Sequence, residues 1–199
     1  MARQVTDRDT QGLRFQWDRI LGSAFELTLS YRDIEVDTER SGQGVLSVPC
    51  DFACQDLLRR DGEQVFGELS YLMRLGAGRN HLLRPSFRYT SHDLDGDAMA
   101  GESTLFQLSY VYATAGYTLV TNVAAGSRDH DTANPIFGAK TDSDRLVADA
   151  TLLYRLPCGD GRWQLVGNAL WGEDDSDVEF HDSNAFSFSI GAMYRFGRR

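Results

Sequence analysis

The 199-residue sequence has few prolines, no net positive charge and no long apolar run. No stretch approaches the ~18 apolar residues of a transmembrane helix, which excludes a membrane protein built from such helices. Strands that cross a membrane are not excluded, because their apolar residues alternate with polar ones. The net charge of −9 lacks the basic footprint of a nucleic-acid-binding protein, so no nucleic-acid partner is expected.

The first twelve residues, MARQVTDRDTQG, lack the apolar core of a secretory signal and taken alone indicate a cytoplasmic protein. Cysteine is also scarce. Cys50 and Cys54 in CDFAC are spaced for a small disulfide-closed loop in an oxidising compartment, whereas Cys158 lies far away in sequence. A zinc site is the competing interpretation, but no His or Cys pair at ligand spacing accompanies these cysteines.

What the sequence does have is strict alternation, most clearly in its last strand, AFSFSIGAMYRF, at 185–196. One face carries six residues: Phe186, Phe188, Ile190, Ala192, Tyr194 and Phe196. Small or polar residues and Met193 occupy the other face. This period of two predicts a strand with one apolar side. It is typical of a transmembrane β-barrel strand, and an ordinary sandwich strand is the alternative.

Nine segments of the chain show this alternation and are predicted as strands. They are 12–21, 24–34, 64–75, 80–91, 103–112, 117–127, 144–156, 162–171 and 185–196. The fourth should be irregular at Pro85, which lacks a ladder hydrogen-bond donor. A short helix is predicted within 51–60.

The connections between these strands alternate between short and long, and aromatic residues gather at the strand ends. Short turns at one edge and long loops at the other, with aromatic girdles, are typical of outer-membrane barrels. The sequence therefore predicts one all-β domain over 1–199, an antiparallel up-and-down transmembrane β-barrel of the outer membrane. A soluble β-sandwich or lipocalin-like barrel is the rival class.

The number of strands carries a second expectation. Nine strands are visible, whereas bacterial single-chain barrels have an even number that starts in the periplasm. We therefore expect an upstream strand and a signal peptide that precede this sequence, and a larger barrel than these strands alone would form.

Polar side chains at the alternate positions of the strands are expected to face the barrel lumen. The main ones, called the lumen set here, are Arg14, Arg32, Glu68, Arg74, Arg84, Arg88, Asp149 and Arg195. Buried charges must be paired or hydrated. The lumen set therefore predicts either a salt-bridged polar plug or a solute pathway whose arginine-rich wall favours anions.

An acidic pattern at 93–97 is a candidate metal site. Asp93, Asp95 and Asp97 alternate around a central Gly, as oxygen ligands of Ca²⁺ can, although no acidic residue stands at the twelfth position, where an EF-hand needs one. A hydrated acidic turn is the alternative.

Catalysis finds little support in the sequence. Loop histidines lie near loop serines, as in outer-membrane lipases; they are His92, His130 and His181 beside Ser91, Ser127 and Ser183. No nucleophile elbow ties a serine to a histidine, so we expect neither an enzyme nor a cofactor.

The C-terminal segment SIGAMYRF resembles the signal that the outer-membrane barrel-insertion machinery reads, with Gly191, Tyr194 and Phe196 at the key positions. Three longer pieces also carry a resemblance: YLMRLGAGRNHLLRPSFRYTSHDLDGDAM, NPIFGAKTDSDR and DSDVEFHDSNAFSFSIGAMYRF. They resemble an uncharacterised Gram-negative outer-membrane family, a domain of unknown function.

The last two pieces are also similar to the C-terminal barrel of surface lipoprotein assembly modifiers, which help move lipoproteins to the cell surface. The N-terminal helical repeats and larger barrel of those proteins are not visible here. These resemblances imply an outer-membrane protein in contact with lipids and the insertion machinery, and they allow a surface lipoprotein as a partner. Its expected role is a structural barrel or a small-solute channel.

Overall fold

The computed structural model describes residues 6–18, 24–38, 52–76, 78–157, 162–178 and 182–196, which form ten strands and a short helix. The elements in chain order are β1 (Thr6–Asp18), β2 (Phe25–Thr38), α1 (Phe52–Leu57), β3 (Gly62–Tyr71), β4 (Met73–Leu75), β5 (His81–Leu94), β6 (Gly101–Ala113), β7 (Tyr117–His130), β8 (Ser143–Arg155), β9 (Trp163–Ser176) and β10 (Ser183–Tyr194). In the described ranges, no helix is long and apolar enough to cross a membrane.

The strands form one antiparallel up-and-down sheet, as the alternation predicts. Its order is β1-β2-β3-β5-β6-β7-β8-β9-β10, and β4 pairs with β5 beside the end of β3. Within the described residues β1 and β10 do not pair with each other, so the sheet is open and the expected barrel closure is not observed. β1 and β10 run in the same direction, because every neighbour along the path is antiparallel. Antiparallel closure therefore requires an odd number of further strands between them.

The third predicted strand, 64–75, is divided at Leu72 into β3 and β4. The pairs Ser70↔Ser86 and Met73↔Leu83 keep one register across the break. With this register, the break at Leu72 lies next to Pro85 on the neighbouring strand, and Pro85 has no N–H to donate. The irregularity expected at Pro85 thus appears in the partner strand, and β5 itself runs through.

The two faces of the sheet differ sharply in character. Directly paired residues lie on the same face, so the register groups the alternate positions of all strands. Apart from Leu170 and Met193, the exposed large apolar side chains lie on one side, the apolar face. The opposite side, the polar face, holds the buried polar residues of the strands: Thr28, Ser30, Ser70, Thr90, His130 and Gln164.

The sheet curls towards its polar face. Ser70 on that face is 3% exposed, whereas Leu13 on the apolar face is 79% exposed, although no second layer covers either side in the described residues. Ile34 of β2 and Asp174 of β9 line the same cavity. In a flat sheet the six ladder steps between these strands would separate them by about 29 Å, so the sheet wraps round its polar face.

Candidate functional site

Three connections at the long-loop edge interlock above the polar face and are called the roof here. They are α1 with residues 58–61, the turn at 95–100 and the loop at 131–142. Ala98 N–H donates to the Leu57 carbonyl at 3.1 Å, and Asp131 N–H donates to the Ala100 carbonyl at 3.1 Å. These backbone bonds join segments that are far apart in sequence into one cover.

Gly96 is required where the turn at 95–100 meets the segment after α1. A Cβ at this position would lie 2.4 Å from the Arg59 nitrogen and 2.5 Å from its carbonyl oxygen. Ala98, two residues on, is fully buried. Because any larger side chain would force the two backbones apart, the close packing of the roof depends on this glycine.

The sequence NPIFG builds the third part of the roof. The Asn134 carbonyl accepts hydrogen bonds from Phe137 N–H at 3.1 Å and Gly138 N–H at 2.8 Å. The Asn134 side-chain Oδ1 accepts a third, from Ile136 N–H at 3.0 Å. This self-bonded turn is an Asx arrangement, and it places Ile136 and Phe137 at the cavity below.

A cavity of about 960 Å³ lies between the roof and the polar face. Apolar side chains form part of its wall: Ile34, Leu58, Leu94, Met99, Ile136 and Phe137. Side chains that can donate hydrogen bonds form another part: Arg60, Gln64, His92, Arg128, His130 and Thr141. The volume and the mixed lining resemble those of small-molecule sites, which are mostly apolar with a few polar groups that orient the ligand.

Two histidines of the cavity are half-buried or more and have defined partners. Gln64 Nε2 lies 3.2 Å from His92 Nδ1, and Thr141 Oγ1 lies 3.3 Å from His130 Nδ1. Burial lowers the pKa of both histidines, and the nearby Arg128 guanidinium lowers it further. At neutral pH both rings are therefore neutral, and the positive charge of the site belongs to its arginines.

Arg128 and Arg60 both face this cavity. Burial lowers the pKa of Arg128, and the charge of Arg60 lowers it in the same direction, as expected for two like charges in proximity. Across the described parts of the chain, neither guanidinium lies within 4.0 Å of a carboxylate. Among the described residues, the site thus holds two positive charges without a directly bonded carboxylate.

His130 also approaches Asp142, but the pair does not form a catalytic relay. Asp142 Oδ1 accepts the His130 backbone N–H at 2.6 Å and lies 3.5 Å from His130 Nδ1. Thr141 Oγ1 contacts the same Nδ1, whereas a nucleophile–base–acid relay uses the two opposite ring nitrogens. Ser127 instead bonds Thr104 at 2.9 Å.

The lumen set lies mainly on the polar face, where register brings opposite charges together. Arg84 Nη2 lies 2.8 Å from Glu26 Oε2, and Arg88 Nε lies 2.9 Å from Glu68 Oε2. Phe66 lies between Arg32 and Arg88, whose guanidinium carbons are 5.7 and 5.3 Å from the ring centroid. These contacts cross three neighbouring strands.

The remaining members of the lumen set are spread along the sheet. Asp149 accepts a hydrogen bond from Asn122 Nδ2 at 2.9 Å. By the strand registers and their alternation, Arg14, Arg74 and Arg195 also fall on the polar side, but none lies near the roof. The sequence therefore predicts the polar face of the sheet correctly, but it does not predict the residues that line the cavity near the roof.

The predicted Ca²⁺ ligands are not assembled into a ligand set. Asp93 lies on the apolar side of β5 at its end, and Asp95 lies in the roof, 3.9 Å from Arg59. Among the residues that the structure describes, no three His, Cys, Asp or Glu side chains are grouped to hold a metal ion. The site at Asp93, Asp95 and Asp97 stays a prediction.

Cys54 of α1 is disulfide-bonded. Its predicted partner, Cys50, lies outside the described residues, as does Cys158. The pairing of Cys50 with Cys54 therefore stays a prediction.

The proposed insertion signal lies at the short-turn edge. Tyr194 ends β10, and its ring centroid is 5.0 Å from that of Trp163 and 4.7 Å from that of Phe196. Gly191 lies on the polar side of the strand, with no atom within 4 Å of a Cβ built on it. The two aromatics of the signal are thus part of an aromatic cluster that faces away from the polar side.

The residues that sequence reasoning missed are Arg128 and Arg60. Alternation would have placed Arg128 on the polar side if the sixth predicted strand had continued to His130 instead of ending at Ser127. Arg60 carries no such signal, because it belongs to a connection and reaches the cavity only through the packing of the roof.

Comparison with known proteins gives one result. The family described as "Protein of unknown function (DUF2860)" matches residues 1–195. The chain belongs to this family. No curated protein and no solved structure matches the chain.

Proposed function

We propose that this member of the DUF2860 family is a transmembrane β-barrel protein of the Gram-negative outer membrane, with a polar interior that passes or holds small anionic solutes. The observation that carries the proposal is the inverted distribution of polarity. The buried face of the sheet holds Thr28, Ser30, Ser70 and Gln164, while large apolar side chains are exposed on the other face. A soluble β-sandwich has the opposite arrangement.

The extent of the exposed apolar surface supports a lipid environment. Soluble monomers rarely expose apolar patches beyond about 300–600 Å². Here Phe15, Phe106, Val123 and Phe188, on four different strands, are each about half exposed or more, and the apolar face continues between them. In water this surface would cause aggregation, whereas in a bilayer it is solvated by lipid.

The height of the apolar face also fits a membrane. On β8 it runs from Leu146 to Tyr154, about 27 Å along the strand at 3.4 Å per residue. A strand tilt of about 40° reduces this to roughly 21 Å, near the ~25 Å apolar band of outer-membrane barrels. Carboxylates mark the boundary at the long-loop edge: Asp33, Glu63, Asp93, Glu102, Asp129, Asp144 and Glu173.

Aromatic rings mark the other boundary. Phe25 contacts Tyr71 with ring centroids 4.5 Å apart, and Tyr112 contacts Tyr117 at 5.5 Å. Trp163 and Tyr194 continue this series at the short-turn edge. Amphipathic rings prefer the headgroup region, so this series supports an interfacial girdle.

Anion preference is supported by the arginines of the polar face. Arg84 and Arg88 are paired with Glu26 and Glu68. These ion pairs hold the side chains in the middle of the interior in position. Arg128 and Arg60 at the roof have no carboxylate partner among the described residues. These two arginines line the interior where a solute from outside would enter, and they favour anions there.

The experiment that tests this function is single-channel recording of the purified protein in a planar bilayer under salt gradients. Anion-preferring current that falls in an Arg128→Gln variant would support the channel. A cation-preferring current, or a current that Arg128→Gln leaves unchanged, would contradict it. Silence from an inserted, heat-modifiable protein would contradict conduction and leave a structural barrel.

Surface lipoprotein translocation is the second candidate that the sequence resemblance implies. The NPIFG turn, which lies in one of the resembling pieces, builds part of the roof. A lipoprotein retained at the inner leaflet of the outer membrane in a deletion strain, without a change in anion uptake, would favour this second role.

A further inference from the structure

The cavity beneath the roof combines two arginines with an apolar wall. Arg128 and Arg60 both line it, and neither has a carboxylate within 4.0 Å in the described parts of the chain. Asp174 is a lining residue of the opposite sign. Like charges that face one cavity repel each other, and the charge of Arg60 lowers the pKa of Arg128 in addition to burial. An anion between the two guanidinium groups would relieve this repulsion.

The geometry points to a binding site in this cavity for an amphipathic organic anion: a carboxylate held by Arg60 and Arg128, with an apolar body against Leu94, Met99 and Ile136. This inference deepens the proposed function by naming a solute class. The route by which the ligand reaches the cavity rests on that proposal. The cavity does not, because the roof and the polar face form it by themselves.

The other donors of the cavity fit the same ligand. Gln64 is bonded to His92 and Thr141 to His130, so the side chains around the arginines are fixed. Both histidines are neutral at neutral pH and add no further charge. A single carboxylate therefore matches the site better than a multiply charged anion, because Asp174 would repel additional negative charge.

The apolar wall distinguishes this class from inorganic anions. Six of the lining residues are large and apolar, and burial of apolar surface contributes about 25 cal/mol per Å². Inorganic phosphate or chloride would gain nothing from this wall. The volume of about 960 Å³ is large enough for an aromatic or short aliphatic acid.

The test is isothermal titration calorimetry on the protein refolded in a zwitterionic detergent at pH 7.5, with benzoate, inorganic phosphate and benzylammonium as probes. We expect saturable binding of benzoate, binding of phosphate at least tenfold weaker, and no binding of benzylammonium. Equal affinities for phosphate and benzoate would overturn the amphipathic class, and binding of benzylammonium would overturn the role of the arginines.

Variants make the test specific to this cavity. Arg128→Gln and Arg60→Gln should each weaken benzoate binding at least tenfold, because a charge-assisted hydrogen bond is lost. Met99→Ala should weaken benzoate binding and leave phosphate unchanged. The matched control is Arg155→Gln, which removes the same charge from the polar side at the short-turn edge, outside the lumen set, and should change nothing.

Far-UV circular dichroism, which reports strand content whether or not the barrel proposal holds, checks that each variant is folded. An equal loss of affinity in Arg155→Gln, or no saturable heat from benzoate with the folded wild type, would overturn the site. Because this assay needs no bilayer, failure of binding is distinguishable from failure of the membrane proposal.

Discussion

Arg84 on β5 reaches across β3 to donate a hydrogen bond to Glu26 on β2, with 2.8 Å between Nη2 and Oε2. Ser70 on β3 lies between them, accepting from Arg84 Nη2 at 3.0 Å and donating to Glu26 Oε2 at 3.2 Å. Residues 58 positions apart in sequence are thus joined by register alone. The same register places the apolar residues next to Arg84 and Ser70 in sequence, Leu83 and Leu69, on the opposite face.

This pair should contribute modestly to stability. Both side chains are partly exposed, so screening limits the coupling energy of the Arg84→Gln and Glu26→Gln double-mutant cycle to about 0.5–1 kcal/mol. The measurement is urea unfolding of the protein in lipid vesicles. The matched control pairs Glu26→Gln with Arg74→Gln, which should show no coupling; a similar coupling there would contradict a direct interaction.

A charge placed on the apolar face should be far more costly than one on the polar face. Leu108→Arg, at the middle of β6, should lower the free energy of unfolding in vesicles by about 2–4 kcal/mol because the guanidinium would face hydrocarbon. Gln107→Arg, its neighbour on the polar face, is the control and should change it by less than about 1 kcal/mol. In a soluble protein the order would reverse, since Leu108 would be an exposed surface residue.

The roof should be sensitive to a single methyl group at Gly96. Gly96→Ala sets a Cβ against the Arg59 backbone, and overpacking of this kind costs about 1–3 kcal/mol. We expect faster proteolysis of the roof loops in the folded protein. Gly116→Ala is the control, because no atom lies within 4 Å of its Cβ; equal protection of the two variants would show that the roof is not packed in this way.

Stability should fall as the pH is lowered below 6.5. Burial and Arg128 hold the pKa of His92 and His130 below their ordinary value of 6.5, although Asp142 and Asp129 partly oppose this at His130. Between the two pKa values the unfolded chain binds more protons than the folded one. The stability is therefore fully present above 6.5 and is lost as the pH falls through the lowered pKa values.

Urea unfolding between pH 7.5 and pH 5 measures this slope. A His92→Gln/His130→Gln double variant should flatten it, because neither side chain then titrates. Gln107→Asn, which changes a polar side chain on the same face without removing a titratable group, is the control and should keep the wild-type slope. A slope that the double variant leaves unchanged would assign the effect to other groups.

Much of the sheet follows from alternation alone. Where every second side chain is apolar, those side chains lie on one face of the strand, so the sequence assigns both faces. The strand ends at the long-loop edge were predicted too short. Beyond Ala125 on β7, for example, the apolar face continues as Ser127 and Asp129. Both faces are polar there, so the alternation of apolar and polar residues no longer indicates a strand.

The residues of the candidate site are harder to predict from the sequence than the strands are. Arg60 and Arg128 are 68 positions apart in the sequence and line one cavity only because the roof folds over the polar face. The paired arginines Arg84 and Arg88 look identical in the sequence to the unpaired ones. Only the positions of Glu26 and Glu68, set by register, distinguish them.

The central claim is that the apolar face of the sheet contacts lipid, and the chain carries its own probes for it. All three tryptophans, Trp17, Trp163 and Trp171, lie on that face by register. The measurement is quenching of tryptophan fluorescence in vesicles by brominated lipids and by aqueous iodide. The account predicts strong quenching by brominated lipid and little by iodide. Strong quenching by iodide with none by brominated lipid would contradict it.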